Sequence, residues 1–558
     1  MRTPSYIISH KSECKDCYKC IRNCPVKAIS FEMGQAQIID SECILCGNCY
    51  VVCPQDAKEV RTTLDTVKAA IAAGRRAVAS VAPSFVAAFD APNIAGMRDA
   101  LIRLGFSDAQ ETALGAQRVS REYEDIAKHA GGRAIISSAC PSINLLIQMY
   151  YPDMTGNLAT VVTPMHAHCL EVKKSDPEAY TVFIGPCVAK KREADETDCV
   201  DACLTFDELK AWLDEAGVSV GDAQAEDGEG ARARFYPTAG GIIKSMNETP
   251  GYSRVAIDGV ENCMSALDEI REGGMRYVFI EMSACEGSCI NGPIMREHAK
   301  KRVSGMARVS RYAGHADFDL EGALEIGCAY PEISVRRVLP GGRAIQAVLD
   351  QMGKTSPERE LNCGSCGYPT CRDKAIAVCR GKADIGMCLP FLKEKAESFS
   401  DKIIENTPNA IIVMDEDLIV QQINTAAVRM LKLRSAHDIL NAPVVRLLNP
   451  VDYLKVATTG NDILNKCHYI AEYGIFVEES IIADKRYRIL ISIMRDVTSR
   501  EVGRRADEEI KQRTAEVTNQ VIENQMRVVQ EITSLLGETT AQTKVALTKL
   551  KDAMMDGE

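Results

Sequence analysis

The chain of 558 residues is poor in aromatic side chains (5%) and holds one tryptophan, Trp212, and eight histidines. No apolar run approaches the ~20 residues that a membrane helix needs. The first residues lack the charged-then-apolar pattern of an export signal. The expectation is a cytoplasmic protein with no membrane contact. Acidic residues outnumber basic ones, 77 to 66, for a net charge of −11. That balance argues against nonspecific nucleic-acid binding. Hydrophobic and charged contents of 46% and 26% exclude wholesale disorder. The length predicts roughly three to four domains.

What the chain does have is cysteine, 23 in all. In a reducing compartment, structural disulfides are not the expected use. The spacing is also too patterned for inert thiols. Soft thiolate sets select Fe–S clusters or zinc. Cys14, Cys17, Cys20 and Cys24-Pro25 follow C-x2-C-x2-C-x3-C-P, and Cys43, Cys46, Cys49 and Cys53-Pro54 repeat it. In a [4Fe–4S] cube each iron takes one thiolate. A loop with x2 spacings covers three corners, and the Cys-Pro of the other repeat supplies the fourth. Cys14, Cys17, Cys20 and Cys53 are therefore expected around one cluster. Cys43, Cys46, Cys49 and Cys24 are expected around the other. A zinc module is the alternative.

Four more cysteines come from three separate segments: Cys140 before Pro141, Cys187 after Pro186, and Cys285 with Cys289. Each follows a predicted strand or opens a predicted helix, where backbone N–H groups can stabilise thiolate charge. A third dense set, Cys363, Cys366, Cys371 and Cys388, has the spacing C-x2-C-x4-C-x16-C. Zinc is again the alternative there. Buried apolar cysteine is the default for Cys169, Cys199, Cys203, Cys263, Cys328, Cys379 and Cys467.

Between these motifs, residues 61–350 alternate helical stretches with short apolar strands such as Ala134–Ile136, Val182–Ile184 and Tyr277–Ile280. The acidic, Gly-rich Gly221–Gly230 is expected to be an exposed loop. After residue 399 the texture changes. Ile411–Met414, a turn at Asp415-Glu416-Asp417 and Leu418–Ile423 predict a hairpin, and Arg488–Arg495 a last strand. From about 501, Ile510, Val517, Val521, Val528, Ile532 and Leu535 recur at near-heptad spacing. They predict a long helix with one apolar stripe, suited to coiled-coil dimerisation.

The first sixty residues resemble the bacterial two-cluster ferredoxins, which implies one-electron transfer. Residues 60–350 resemble the catalytic domain of [FeFe]-hydrogenases. The likeness rests on the three cysteine segments, on Cys187 followed by Lys190 and Glu193 as in P-C-x-x-K-x-x-E, on Thr163-Pro164-Met165, and on Thr238-Ala239-Gly240-Gly241. It implies an H-cluster, a [4Fe–4S] cube joined to a diiron subcluster with CO, cyanide and azadithiolate. Cys140, Cys187, Cys285 and Cys289 would hold the cube, with Cys289 as the bridge. Lys190 would donate to a cyanide and Glu193 would orient that region, while Pro186, Ser283 and Ala139 would lie against the cofactor. Where active family members have a proton-relaying cysteine, Ala139 stands. Family methionines are replaced by Gly185 and Ser283, and a glycine by Ser288. This pattern resembles the sensory branch and implies slow turnover. Glu286 is the first candidate substitute relay, with Glu122 a looser one.

Cys363–Cys388 resembles the small Fes Fe–S domain, and 399–500 resembles a PAS domain, through Asn409–Asp415 and Asp496-Val497-Thr498. The expected fold class is multidomain α+β and α/β. It comprises a ferredoxin-like module (1–60), an α/β H-cluster domain (61–355), a Fes-type [4Fe–4S] domain (356–398), a PAS domain (399–500) and a coiled-coil helix (501–558). The expected cofactors are three accessory [4Fe–4S] clusters and the H-cluster. Expected partners are H2 and protons, a redox partner such as ferredoxin, a second copy of the chain, and a separate kinase or phosphatase. The expected function is slow reversible H2 oxidation that senses H2 or redox state. The alternative is a non-catalytic Fe–S electron-transfer or cluster-assembly protein.

Overall fold

The computed structural model describes residues 5–10, 13–32, 34–89, 91–221, 230–295, 302–335, 339–536 and 540–555. Positions 222–229 of the acidic segment expected as a loop lie outside them. The chain divides into two compact units, Met1–Leu392 and Lys393–Glu558.

The first unit opens with the cysteine repeat. Strand β1 (Ile7–Ser9) pairs with β4 (Lys58–Val60), and β2 (Ile29–Glu32) with β3 (Gln35–Ile38), all antiparallel. Each repeat puts its third cysteine on a one-turn helix, Lys19–Arg22 or Asn48–Val51. Both helices start from a residue with positive φ, Tyr18 and Gly47. At Gly47 the glycine is required twice over. Its φ is +77°, and a Cβ there would lie 2.5 Å from Pro293. This close approach seats the repeat against the segment carrying Cys285 and Cys289.

The next segment builds two parallel sheets. Strands β5 (Ala77–Val81), β6 (Asp108–Glu111), β8 (Tyr180–Gly185) and β9 (Ala202–Thr205) lie in the order β6-β5-β8-β9. Strands β7 (Ile135–Ile136), β10 (Ser253–Asp258) and β11 (Val278–Ser283) lie in the order β10-β11-β7. The strands expected at 134–136, 182–184 and 277–280 thus form as β7, β8 and β11. Every residue of β5, β8 and β11 is buried, as expected of parallel strands covered on both faces. The sheets place Cys140, Cys187 and Cys285 just beyond the C-terminal ends of β7, β8 and β11. That is where open parallel sheets present their ligand crevice. Helices Gly342–Gln351 and Cys371–Cys379 pack around Ile345, Leu349, Met352 and Ala375 beside the third cysteine set.

The second unit is an antiparallel sheet in the order β13-β12-β16-β15-β14. Its strands are β12 (Ala410–Asp415), β13 (Val420–Ile423), β14 (Ile463–Ile470), β15 (Ile475–Asp484) and β16 (Ile489–Asp496). The fully buried Asn424 pins its start. The side-chain oxygen accepts from Ile411 N (2.9 Å) and Ala427 N (2.9 Å), while the amide donates to Ile404 O and Asn409 O. After β16, Asp496 Oδ1 accepts from Thr498 N (2.9 Å) and Thr498 Oγ1 accepts from Phe476 N (2.9 Å). These bonds satisfy helix-start donors and tie helix Thr498–Leu536 to β15. On that helix Ile510, Val517, Val521, Val528 and Ile532 are 48–62% exposed. Leu535's side chain lies outside the described positions. Helix Thr540–Met555 follows and makes contact with the long helix.

Candidate metal centres and their surroundings

The four central cysteines meet. Cys140, Cys187, Cys285 and Cys289 line one cavity of about 110 Å3, together with Ala139, Pro186, Lys190, Ser283 and, from the cysteine repeat, Leu45 and Cys46. Burial and the neighbouring sulfurs push Cys187, Cys285 and Cys289 upward in pKa, Cys187 to about 11. Cys289 is exposed and lines this cavity. Thiols held neutral in this way give up their protons on binding a metal.

Lys190 Nζ donates to Thr163 Oγ1 and Glu193 Oε2, both at 2.7 Å, and Thr163 also hydrogen-bonds Glu193. The helix Ala189–Asp195 puts Lys190 and Glu193 three residues apart on one face. Thr163 caps the helix Pro164–Ser175 by accepting from His166 N. Two segments thereby fix one ammonium at the cavity wall.

Ser288 takes a positive φ of 62° and its Oγ donates to Ser283 Oγ at 3.0 Å. That bond offsets part of the strain of a non-glycine residue there. Met165 and Met282 line the cavity although Gly185 and Ser283 carry no thioether. Glu286 is exposed and is not among the residues facing the cavity. Glu281, 2% exposed in β11, is a carboxyl near enough to influence Cys289, although it too lies outside the cavity lining. Burial pushes it up to about 7, against backbone N–H groups of Gly240–Ile243 that favour its charge. Sequence reasoning passed over Glu281. The available signal was a lone acid inside the apolar strand VFIEMS.

Cys24, Cys43, Cys46 and Cys49 line a second cavity, of about 20 Å3. Backbone N–H groups of Ala28 and Leu45 donate to the sulfurs of Cys24 (3.3 Å) and Cys43 (3.4 Å). Cys46 faces both this cavity and the central one. Of the other set, Cys14 and Cys17 both act on the buried Cys20, which Lys58 also influences. Cys53 is buried in its Cys-Pro turn. Cys363, Cys366, Cys371 and Cys388 line a third cavity, also about 20 Å3, with Lys354, Lys374 and Tyr368. Asn362 Oδ1 accepts from Cys371 N at 2.7 Å, and Ser365 Oγ bonds Cys363 Sγ at 3.0 Å. The third set packs against the repeat. Gly367 has φ +94°, and a Cβ there would lie 3.1 Å from Arg22 N. Tyr368 feels both Cys366 and Cys24.

Among the described residues no three His, Cys, Asp or Glu side chains meet at a point as ligands of a single ion do. The sulfurs ring cavities instead, a donor set and shape that fit polynuclear thiolate-bound iron. Of the remaining cysteines, Cys169 is buried beside Cys199 and does not face the central cavity.

Taken with this geometry, the fold is that of a multi-centre iron–sulfur protein. The model of the iron-only hydrogenase large subunit, C-terminal domain, matches residues 75–293. A 4Fe-4S dicluster domain model matches 6–54, an Fe-S cluster model 360–390 and the PAS fold 399–502. The chain is a hydrogenase-like protein with a PAS domain. It is 24% identical to iron hydrogenase 1 of Clostridium pasteurianum over 43% of this chain and 53% of that protein. It is 25% identical to the periplasmic [Fe] hydrogenase large subunit of Nitratidesulfovibrio vulgaris, over 51% of this chain and 86% of that one. The chain thus spans about half of the first relative's length. Among solved structures, a variant of [FeFe]-hydrogenase HydA1 from Chlamydomonas reinhardtii aligns at 17% identity. That alignment covers 46% of this chain and 91% of that one, with a TM-score of 0.37. Among the described residues no helix is long and apolar enough to cross a membrane.

Proposed function

We propose that the protein is an [FeFe]-hydrogenase of low turnover that senses H2 or redox state in the cytoplasm. It would signal through its PAS domain and long helix as a homodimer, to a separate kinase or phosphatase. The working domains are 1–60, 61–355, 356–398, 399–500 and 501–558. The observation that carries the reading is the convergence of Cys140, Cys187, Cys285 and Cys289 on one cavity lined by Lys190, which Thr163 and Glu193 hold in place.

Cys140, Cys187, Cys285 and Cys289 would hold the cube of the H-cluster, with Cys289 as the bridge to the diiron unit. When bound, that group supplies the open iron at which H2 is split into protons and electrons. The chain does the rest. Lys190 Nζ has one donor left after Thr163 and Glu193, and a buried ammonium donates strongly to an anionic ligand. The apolar lining, with Met165, Met282 and Pro186, excludes water. Ala139 carries no proton, so the nearby carriers are few, and transfer out of the cavity should be slow. The Glu281 carboxyl can hold a proton near neutral pH and joins Glu286 as a relay candidate. Cys46, shared between two cavities, supports electron exchange through the ferredoxin-type repeat, to which a ferredoxin could dock.

Infrared spectra after maturation test the reading. CO and cyanide bands that Cys289→Ala abolishes are expected, with measurable but slow H2 oxidation. Their absence in matured wild-type protein favours the non-catalytic Fe–S reading, which the methyl group of Ala139 in the cavity also supports.

A further inference from the structure

Two buried lysines stand against the third cysteine set. Lys354 is 3% exposed and Lys374 1% exposed, and both line the cavity ringed by Cys363, Cys366, Cys371 and Cys388. Lys374 Nζ donates to the backbone carbonyl of Asp384 at 2.5 Å and lies 5.6 Å from the centre of the Tyr368 ring. The Asp384 carboxylate itself accepts from Gly386 N and acts on Lys374 only at longer range. Among the described residues Lys354 Nζ has no hydrogen-bond partner. Among the described residues no carboxylate lies within 4.0 Å of either ammonium. By contrast, Lys190 at the central cavity is neutralised by Glu193.

A buried charge without a partner is costly, and two in one small cavity repel each other as well. The fold tolerates them only if the cavity's occupant is anionic. Four thiolates on an iron–sulfide cube carry net negative charge, and each added electron makes that charge larger.

We propose that Lys354 and Lys374 are the counter-ions of the metal–thiolate centre at Cys363, Cys366, Cys371 and Cys388, and that they raise its reduction potential. This rests on reading those cysteines as a cluster site. Reduction adds one electron, and so one negative charge, within reach of both ammoniums. The reduced centre is therefore the form they favour. Tyr368, between Cys366 and Cys24, sets this centre beside the ferredoxin-type repeat.

The test uses the full chain reconstituted anaerobically with iron and sulfide, titrated with dithionite and followed by electron paramagnetic resonance. Wild-type protein should show a signal that Cys366→Ala removes. Without such a signal the cluster reading itself fails and the proposal with it. Given the signal, Lys354→Met and Lys374→Met should each lower the one-electron reduction equilibrium about tenfold, or about 59 mV. Lys354→Arg and Lys374→Arg should keep it within about threefold, and the ferredoxin-type signals should not shift. Unchanged potentials in both Met variants at full occupancy would overturn the counter-ion role while leaving the cluster reading intact. If the Met variants fail to assemble the centre, assembly in the Arg variants supports the role. Failure in the Arg variants too shows that packing, not charge, is what the lysines supply, and overturns it.

Discussion

Glu193→Gln would leave Lys190 Nζ as a buried ammonium with a neutral neighbour. The two side chains are 10% and 13% exposed, so water screens them little. Breaking a buried pair from one side costs about 3–5 kcal/mol, because the remaining charge stays desolvated. Residual exposure argues for the lower end, about 3 kcal/mol. Lys190→Met combined with Glu193→Gln removes both charges and should recover most of that loss. Trp212, the single tryptophan, is 7% exposed in the same domain and stands 5.8 Å from Phe106, so its fluorescence follows the unfolding of this region. With a urea slope of about 3 kcal/mol/M, the single variant should lower the Trp212 midpoint by about 1 M. The double variant should lower it by much less. A double variant as unstable as Glu193→Gln would refute the pair's electrostatic role and assign the cost to packing.

Further outcomes are expected. His168 is fully buried and neutral, between Ser80 Oγ (2.7 Å) and Gln110 Oε1 (3.2 Å), and burial lowers its pKa to about 4. Between about pH 6.5 and 4 the unfolded chain binds a proton that the folded one refuses. Stability falls by about 3 kcal/mol on acidification through that window, a loss that His168→Gln should remove from the Trp212 profile. Glu281 has the opposite sign. Its folded pKa of about 7 lies above the unfolded value, so it favours folding below about pH 4.5 and loses that contribution as pH rises to 7. Glu281→Gln should therefore stabilise the metal-free chain at pH 8 by about 2–3 kcal/mol and change little at pH 4. Asn424→Ala strands four backbone groups, at Ile404, Asn409, Ile411 and Ala427. It should speed amide exchange across 399–497, while unchanged protection would move the pin elsewhere. Val517→Glu with Val528→Glu should convert the proposed dimer to monomer in sedimentation, and a persisting dimer would exclude the helix stripe.

Legibility followed the range of the interaction. The long helix, the strands β7, β8, β11, β12 and β16, and the cysteine spacings are local patterns, with periods and turn residues close together in the chain. Asp496-Val497-Thr498 was visible as a motif, and its hydrogen bonds to the start of the helix and to Phe476 explain it. Glu286 lies between Cys285 and Cys289 in sequence, yet it is exposed and outside the lining of the cavity they share. A tight turn instead sends the side chain between Cys285 and Cys289 outward. For Glu281 and the Lys354–Lys374 pair the deciding feature is burial, which the packed fold and not the local sequence sets, even though Lys374 shares the helix of Cys371.

From residue order alone came the inventory, because thiol count, x2 spacings and Cys-Pro stops dictate which loops can wrap a cluster whatever surrounds them. Proximity came from folding. Parallel strands carried Cys140, Cys187 and Cys285 to a shared rim, and the space left by Gly47 let the repeat's Cys46 reach it. Burial then set the charge states, since the cost of an unpaired ion depends on how much water the packed chain removes.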